Sequence, residues 1–109
     1  MTGERLLVPC TCPDHDNATA IAAELVEQHL AACVNIVPQV TSVYRWEGRV
    51  ETESESLLLI KTTGARYAQL ETTLRYLHPF ELPEIVAVDL CNGLPEYLQW
   101  LHTETRETP

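Results

Sequence analysis

Two cysteines one residue apart, Cys10 and Cys12, stand just ahead of Asp14, His15 and Asp16, so sulfur, imidazole and carboxylate donors crowd into seven positions. That mixture suits copper or zinc, which take thiolate and imidazole ligands. Alternate side chains share a face of a strand, so Cys10-Thr11-Cys12 points both thiols the same way. The spacing is not diagnostic: a structural zinc site usually carries Cys-x-x-Cys with a second ligand pair, and this chain has neither. The competing reading is a half-buried Cys10 packed as a small hydrophobe, with Cys12 incidental. His78, before Pro79, is either a ligand or a helix C-terminal residue facing the dipole. Lys61 lies inside the apolar run Leu59-Ile60-Lys61-Thr62. A buried ammonium needs a carboxylate or an anionic ligand, and Glu84 is the candidate partner, in an ion pair that is structural before it is functional.

These residues need a scaffold, and the hydrophobic pattern describes one. Arg5 to Thr11 is short and apolar, a strand that runs into the turn formers Pro13 to Asn17. Ala18, Ile21, Ala22, Leu25 and Val26 then recur at helical spacing, with Asp16 or Asn17 placed as the cap and the end near His29. Cys33 to Trp46 is rich in β-branched and aromatic residues around Pro38, which predicts one long strand, bent or bulged at the proline and lying at a sheet edge. Glu47-Gly48 suits a tight hairpin, and Arg49 to Lys61 is the return strand, its second half apolar enough to be central. Tyr67, Leu70, Leu74 and Leu77 mark a second helix that His78-Pro79 ends. Glu84 to Leu90 predicts a fourth strand, Leu94 to Leu101 a short closing helix, and 103–109 a frayed tail. His15, His29 and His102 are expected at the solvated surface. The order β-α-β-β-α-β plus a short helix is the ferredoxin-like α+β arrangement, two helices covering one face of an antiparallel sheet. A long edge strand carrying Val40, Tyr44 and Trp46 is an unpaired template that self-association would cover.

Composition narrows the functions. The 109 residues fit one domain, 1–109. A formal net charge of −9 repels phosphate backbones and anionic lipid, which disfavours nucleic acid and membrane partners. No apolar run suits a signal core or a membrane span, so a cytoplasmic, reducing setting is expected, with Cys10, Cys12, Cys33 and Cys91 as free thiols.

Seven segments in register resemble the divalent-cation-tolerance (CutA) family: Val8 to Asp14, Leu30 to Ile36, Thr41 to Gly48, Leu59 to Thr62, Leu77 to Phe80, Pro83 to Ile85 and Gly93 to Leu98. The resemblance implies a ferredoxin-like protomer, a homotrimer built through extended strands with an architecture similar to the PII signalling proteins, and a link to divalent-metal tolerance and copper binding. In copper-binding relatives the cysteine of a Cys-Thr motif acts with two adjacent histidines before a Pro-aromatic pair. Cys10 and His78 match two of those positions, whereas Leu77 stands at the third, so the site is incomplete unless Cys12, a neighbouring subunit or water supplies a ligand. Cys33, Tyr44, Trp46, Lys61 and Glu84 fall at positions recurrent in the family and would line clefts between subunits, although a tertiary anchor is the commoner role for a residue such as Trp46.

The expected function is a trimeric, metal-responsive binding protein without catalysis. The alternatives are a PII-like small-ligand sensor, which would need a phosphate loop or basic cluster not found here, and a structural trimer with no metal role. An RNA-recognition domain would place aromatics where this chain has Leu57 to Ile60, and an acylphosphatase-like enzyme would need a basic loop where Pro13 to Asp16 is acidic.

Overall fold

The computed structural model describes residues 5–107. Its elements are β1 (Arg5–Cys12), α1 (His15–Glu27), β2 (Cys33–Trp46), β3 (Arg49–Thr63), α2 (Gly64–Leu77), β4 (Val88–Asp89) and α3 (Pro95–Glu104). They form one antiparallel sheet ordered β2-β3-β1-β4, the expected α+β arrangement. Strand alternation explains the core: Ser56, Leu58, Ile60 and Thr62 of β3 are buried, as are Val8, Cys10 and Cys12 of β1. The apolar members of this face pack with Ala18, Ile21 and Leu25 of α1 and Leu70 and Leu74 of α2. By the same alternation Glu55, Leu57, Leu59 and Lys61 look the other way.

β2 is the edge strand, and its register with β3 shifts between Val37 and Val40 around Pro38, where Gln39 takes φ 58°. The bulge absorbs a residue that has no N–H for the ladder. Beyond it the ribbon turns through Glu47 (φ 50°) and Gly48 (φ 81°), two left-handed residues in succession as a type I′ hairpin requires.

Several expectations need correction. Asp14, not Asp16 or Asn17, caps α1: its Oδ1 accepts the Asn17 amide at 2.8 Å. Holding the Asn17 donors, the Asp14 carboxyl lies below its ordinary pKa. The fourth strand shrinks to Val88–Asp89, paired with Leu7 and Leu6. Two residues further along β1 stands Pro9, which brings no N–H to a ladder continuing there, so Glu84 to Ala87 run alongside without strand pairing. The tail is not frayed from 103 onward: α3 reaches Glu104, Thr105 is 2% exposed and donates to the Leu101 carbonyl at 2.7 Å, and Arg66 pairs with Glu107 at 3.2 Å. Residues 108–109 lie outside the described residues. His29 is not a solvated surface residue either; at φ 61° its Nδ1 meets the Glu104 carbonyl at 3.1 Å, tying the end of α1 to α3. Among the described residues no helix is long and apolar enough to cross a membrane.

Candidate metal centre

β1 delivers two thiols to the helix-covered face because Cys10 pairs with Leu58 and Cys12 with Ser56, both inward-facing positions of β3. The chain comes back to this spot at the end of α2. There the helix stops before Pro79, and His78, its C-cap, turns to an extended backbone at ψ 135°. Cys10 and Cys12 are 0% exposed and His78 is 6% exposed. Their ligating atoms all lie within 4.8 Å of one another, so three soft or borderline donors converge at a buried point.

Cys12 is therefore a full member of the cluster rather than an incidental neighbour, and Cys10 is fully buried rather than half-buried. Leu77, at the position of the family's second histidine, packs against the core; the third donor comes from Cys12. Asp14, His15 and Asp16 stay outside, exposed at the start of α1. All four cysteines are free thiols.

Hydrogen bonding defines the resting state. His78 Nδ1 accepts the Phe80 amide at 3.1 Å, and Nε2 lies 2.8 Å from the Thr11 carbonyl, which only accepts. The proton thus sits on Nε2, which also faces Cys12 Sγ at 3.8 Å. The two thiols diverge in acidity. Hydrogen bonding to Cys12, then burial, pushes the Cys10 thiol far up, so it stays protonated. Hydrogen bonding from Cys10 brings Cys12 down to about 6, with burial opposing and His78 assisting. Burial lowers the His78 pKa, but the Cys12 sulfur and the Thr11 carbonyl outweigh it and the net direction is upward. The site brings two buried sulfurs and an imidazole together, a donor set that could hold a soft metal ion.

The five positions expected to line intersubunit clefts separate into two places. Lys61 and Cys33 face each other across the β2–β3 ladder. Lys61 donates to Asn35 Oδ1 at 2.9 Å and sits 5.9 Å from the Tyr97 ring centroid, so its partners within the chain are an amide and an aromatic face, not Glu84. It is half-buried, and an amide suffices. Tyr44, Trp46 and Glu84 do meet, in a cleft of about 520 Å³ at the stem of the hairpin, together with Glu55 and the segment beginning at Phe80. Glu55 drew no attention in the sequence. Its signal was a carboxylate immediately ahead of the alternating buried positions of β3, one residue from Ser56.

Comparison with known proteins agrees with this fold. Residues 6–104 match the family described as CutA1 divalent ion tolerance protein. The chain is 48% identical over 99 residues to the divalent-cation tolerance protein CutA of Thermus thermophilus, covering 91% of this chain and 96% of that one. It is 44% identical over 95 residues to the mouse protein CutA, covering 87% of this chain but 54% of the longer mouse protein. Among solved structures, CutA from Xylella fastidiosa superposes with a TM-score of 0.92 at 46% identity, over 94% of this chain and 99% of that one. The chain belongs to the CutA1 divalent ion tolerance family.

Proposed function

We propose that this protein contributes to divalent-cation tolerance by binding copper directly, with Cys10 and Cys12 as primary ligands and His78 as the third. The observation that carries the reading is the convergence of these three ligating atoms within 4.8 Å in a pocket where all three residues are buried. Two sulfurs and one nitrogen with little access for water suit an ion content with low coordination, the cuprous state above all. Zinc ordinarily asks for four ligands, and calcium or magnesium for oxygen.

The hydrogen bonds set the order of events. Cys12 offers a thiolate near neutral pH and Cys10 gives up a proton on ligation. His78 joins only by exchanging its Thr11 hydrogen bond for the ion, against the Phe80 amide that holds Nδ1 as acceptor. The site is thus led by sulfur, with the imidazole as an adjustable third donor. Titrating the reduced protein with Cu(I) against a chromophoric chelator tests this reading. One equivalent per chain, lost in Cys10→Ser and Cys12→Ser, is the expected result; undiminished affinity in both variants would remove it.

The protein acts as a homotrimer in this reading, as β2 is an uncovered edge whose hairpin exposes Val43 at 65% and Val50 at 63%. It works without catalysis in this reading, as Cys10, Cys12 and His78 are all buried. Its four free thiols suit the reducing cytoplasm. Light scattering tests the assembly, with a monomer at micromolar concentration as the contrary result.

A further inference from the structure

Most of what encloses the copper ligands cannot move without opening the core. Cys10 and Cys12 lie in the β1–β3 ladder opposite Leu58 and Ser56, and the helices over that face bury Leu58, Ile60, Leu70 and Leu74 completely. Shifting the sheet or either helix would expose apolar surface at the centre of the molecule. One wall is different. Between Leu77 and Ile85, both packed against the core, the chain leaves the site without helix or strand. Among the described residues, Pro79 to Val86 make no backbone-to-backbone hydrogen bond.

What fastens this segment is concentrated at His78. The Phe80 amide donates to His78 Nδ1 at 3.1 Å, and the Phe80 ring lies against the imidazole, with centroids 4.9 Å apart and planes tilted by 47°. At the other edge of the imidazole, Nε2 donates to the Thr11 carbonyl at 2.8 Å and faces Cys12 Sγ at 3.8 Å. The ring of His78 therefore bridges the loose segment and β1. Undoing two hydrogen bonds and one ring contact frees it, while its backbone amide stays tied to the Leu74 carbonyl at 3.0 Å, at the point where helical order ends.

An ion cannot reach two sulfurs that are 0% exposed while every wall is closed. The segment with the fewest bonds opens most readily, and ligand access commonly runs through such segments. We propose that residues 78–84 form a strap over the thiol site, latched by Phe80: an ion reaches or leaves Cys10 and Cys12 when Phe80 and His78 swing away together, with sheet and helices in place. The opening does not depend on which ion passes; that the ion is copper rests on the function proposed for these ligands.

Thiol labelling of the metal-free, reduced protein in its native assembly tests the strap. Iodoacetamide is added at rising urea concentrations below the unfolding transition, and modification of Cys10 and Cys12 is followed by peptide mass spectrometry, with the exposed Cys91 as the open reference. The expected result is slow labelling of the buried pair at a rate nearly independent of urea, because the opening exposes little surface. Phe80→Ala is expected to speed it by at least about tenfold, and Phe80→Tyr to keep the parent rate. A rate that follows the global unfolding slope from zero urea overturns the proposal without any variant. Phe80→Ala labelling at the parent rate overturns it as well. Phe80 also lines the cleft at the hairpin stem, beside Tyr44 and Trp46. Labelling that accelerates on dilution would therefore place the opening at the subunit contacts, and would overturn the strap too.

Metal passage is read separately. In Phe80→Ala, Cu(I) uptake and Cu(I) release to a chromophoric chelator should both quicken by the factor seen in labelling, leaving the affinity within about threefold of the parent, since a latch acts on both directions alike. Uptake and release that stay at parent rates while labelling quickens would contradict the proposal. A parent that binds no Cu(I) would remove the copper reading alone, and the labelling then decides the strap.

Discussion

Ser56 and Glu55 are neighbours in β3, yet they stand at two chemically opposite sites. Ser56 is paired with Cys12 on the face closed by α1 and α2, beside a buried set of sulfur and imidazole donors. Glu55 is paired with Val40 on the other face, in a cleft walled by aromatics and carboxylates. One step of strand alternation therefore separates a soft-ion pocket from an acidic cleft. The first is closed by core packing and fully hydrogen-bonded at rest. The second is a cleft at the stem of the hairpin, lined by Tyr44, Trp46 and the segment beginning at Phe80. The same contrast runs along β2 and β3: before the bulge the ribbon supports the core, and beyond Glu55 it is largely exposed.

The contrast between faces can be broken most forcefully at Leu58, 0% exposed and partner of Cys10. Leu58→Ala should lower stability by about 2–5 kcal/mol. Leu57→Ala, one residue along on the half-buried face, should cost clearly less; chemical denaturation of both variants gives the comparison. Equal losses would mean that both faces carry the core. Next in size is Cys12→Ser, expected to weaken Cu(I) binding by about 100-fold, or ~2.7 kcal/mol. His78→Ala should weaken it by about tenfold only, because the ring already holds other bonds at rest.

Acidity distinguishes the two cysteines without any metal. The Cys12 thiol is lowered from 9.0 to about 6, so between those values the folded protein has released a proton that the unfolded chain keeps. Its contribution to stability is complete above pH 9 and is lost as the pH falls through about 6. Cys10, raised instead, opposes this at high pH, where the unfolded chain ionises and the folded one does not. The thiolate ultraviolet absorbance of the native protein should rise with a midpoint near pH 6, and Cys12→Ser should remove that step. Persistence of the step in the variant would assign it elsewhere. The smallest effect is at Asp14, two residues past Cys12. Asp14→Ala should cost about 1 kcal/mol through the lost cap and leave copper affinity unchanged, since its carboxylate serves the Asn17 amide.

Much of the fold was legible in the chain because period and punctuation agreed: Pro38 marked the bulge, Glu47-Gly48 the hairpin, and His78-Pro79 the end of α2. The cap of α1 was misplaced because Asp14, Asp16 and Asn17 are all good capping types, and only the backbone shows which has the extended geometry. The fourth strand was overextended because apolar residues from Ile85 onward read as a strand whether or not a neighbour can pair with them. Cys10 and His78 were visible through the resemblance, but the weight of Cys12 was not. Its partner lies 66 residues away, a distance that no local spacing encodes. Within the chain Lys61 meets Asn35 rather than Glu84: the apolar run implied deep burial, whereas the strand's alternation leaves the lysine half-exposed.

X-ray absorption at the copper edge of the reduced, singly loaded protein tests the metal centre most directly. A first shell of two sulfurs and one nitrogen, with one sulfur lost in Cys12→Ser, is the expected result. A shell of oxygen and nitrogen alone, or one unchanged in that variant, would contradict it.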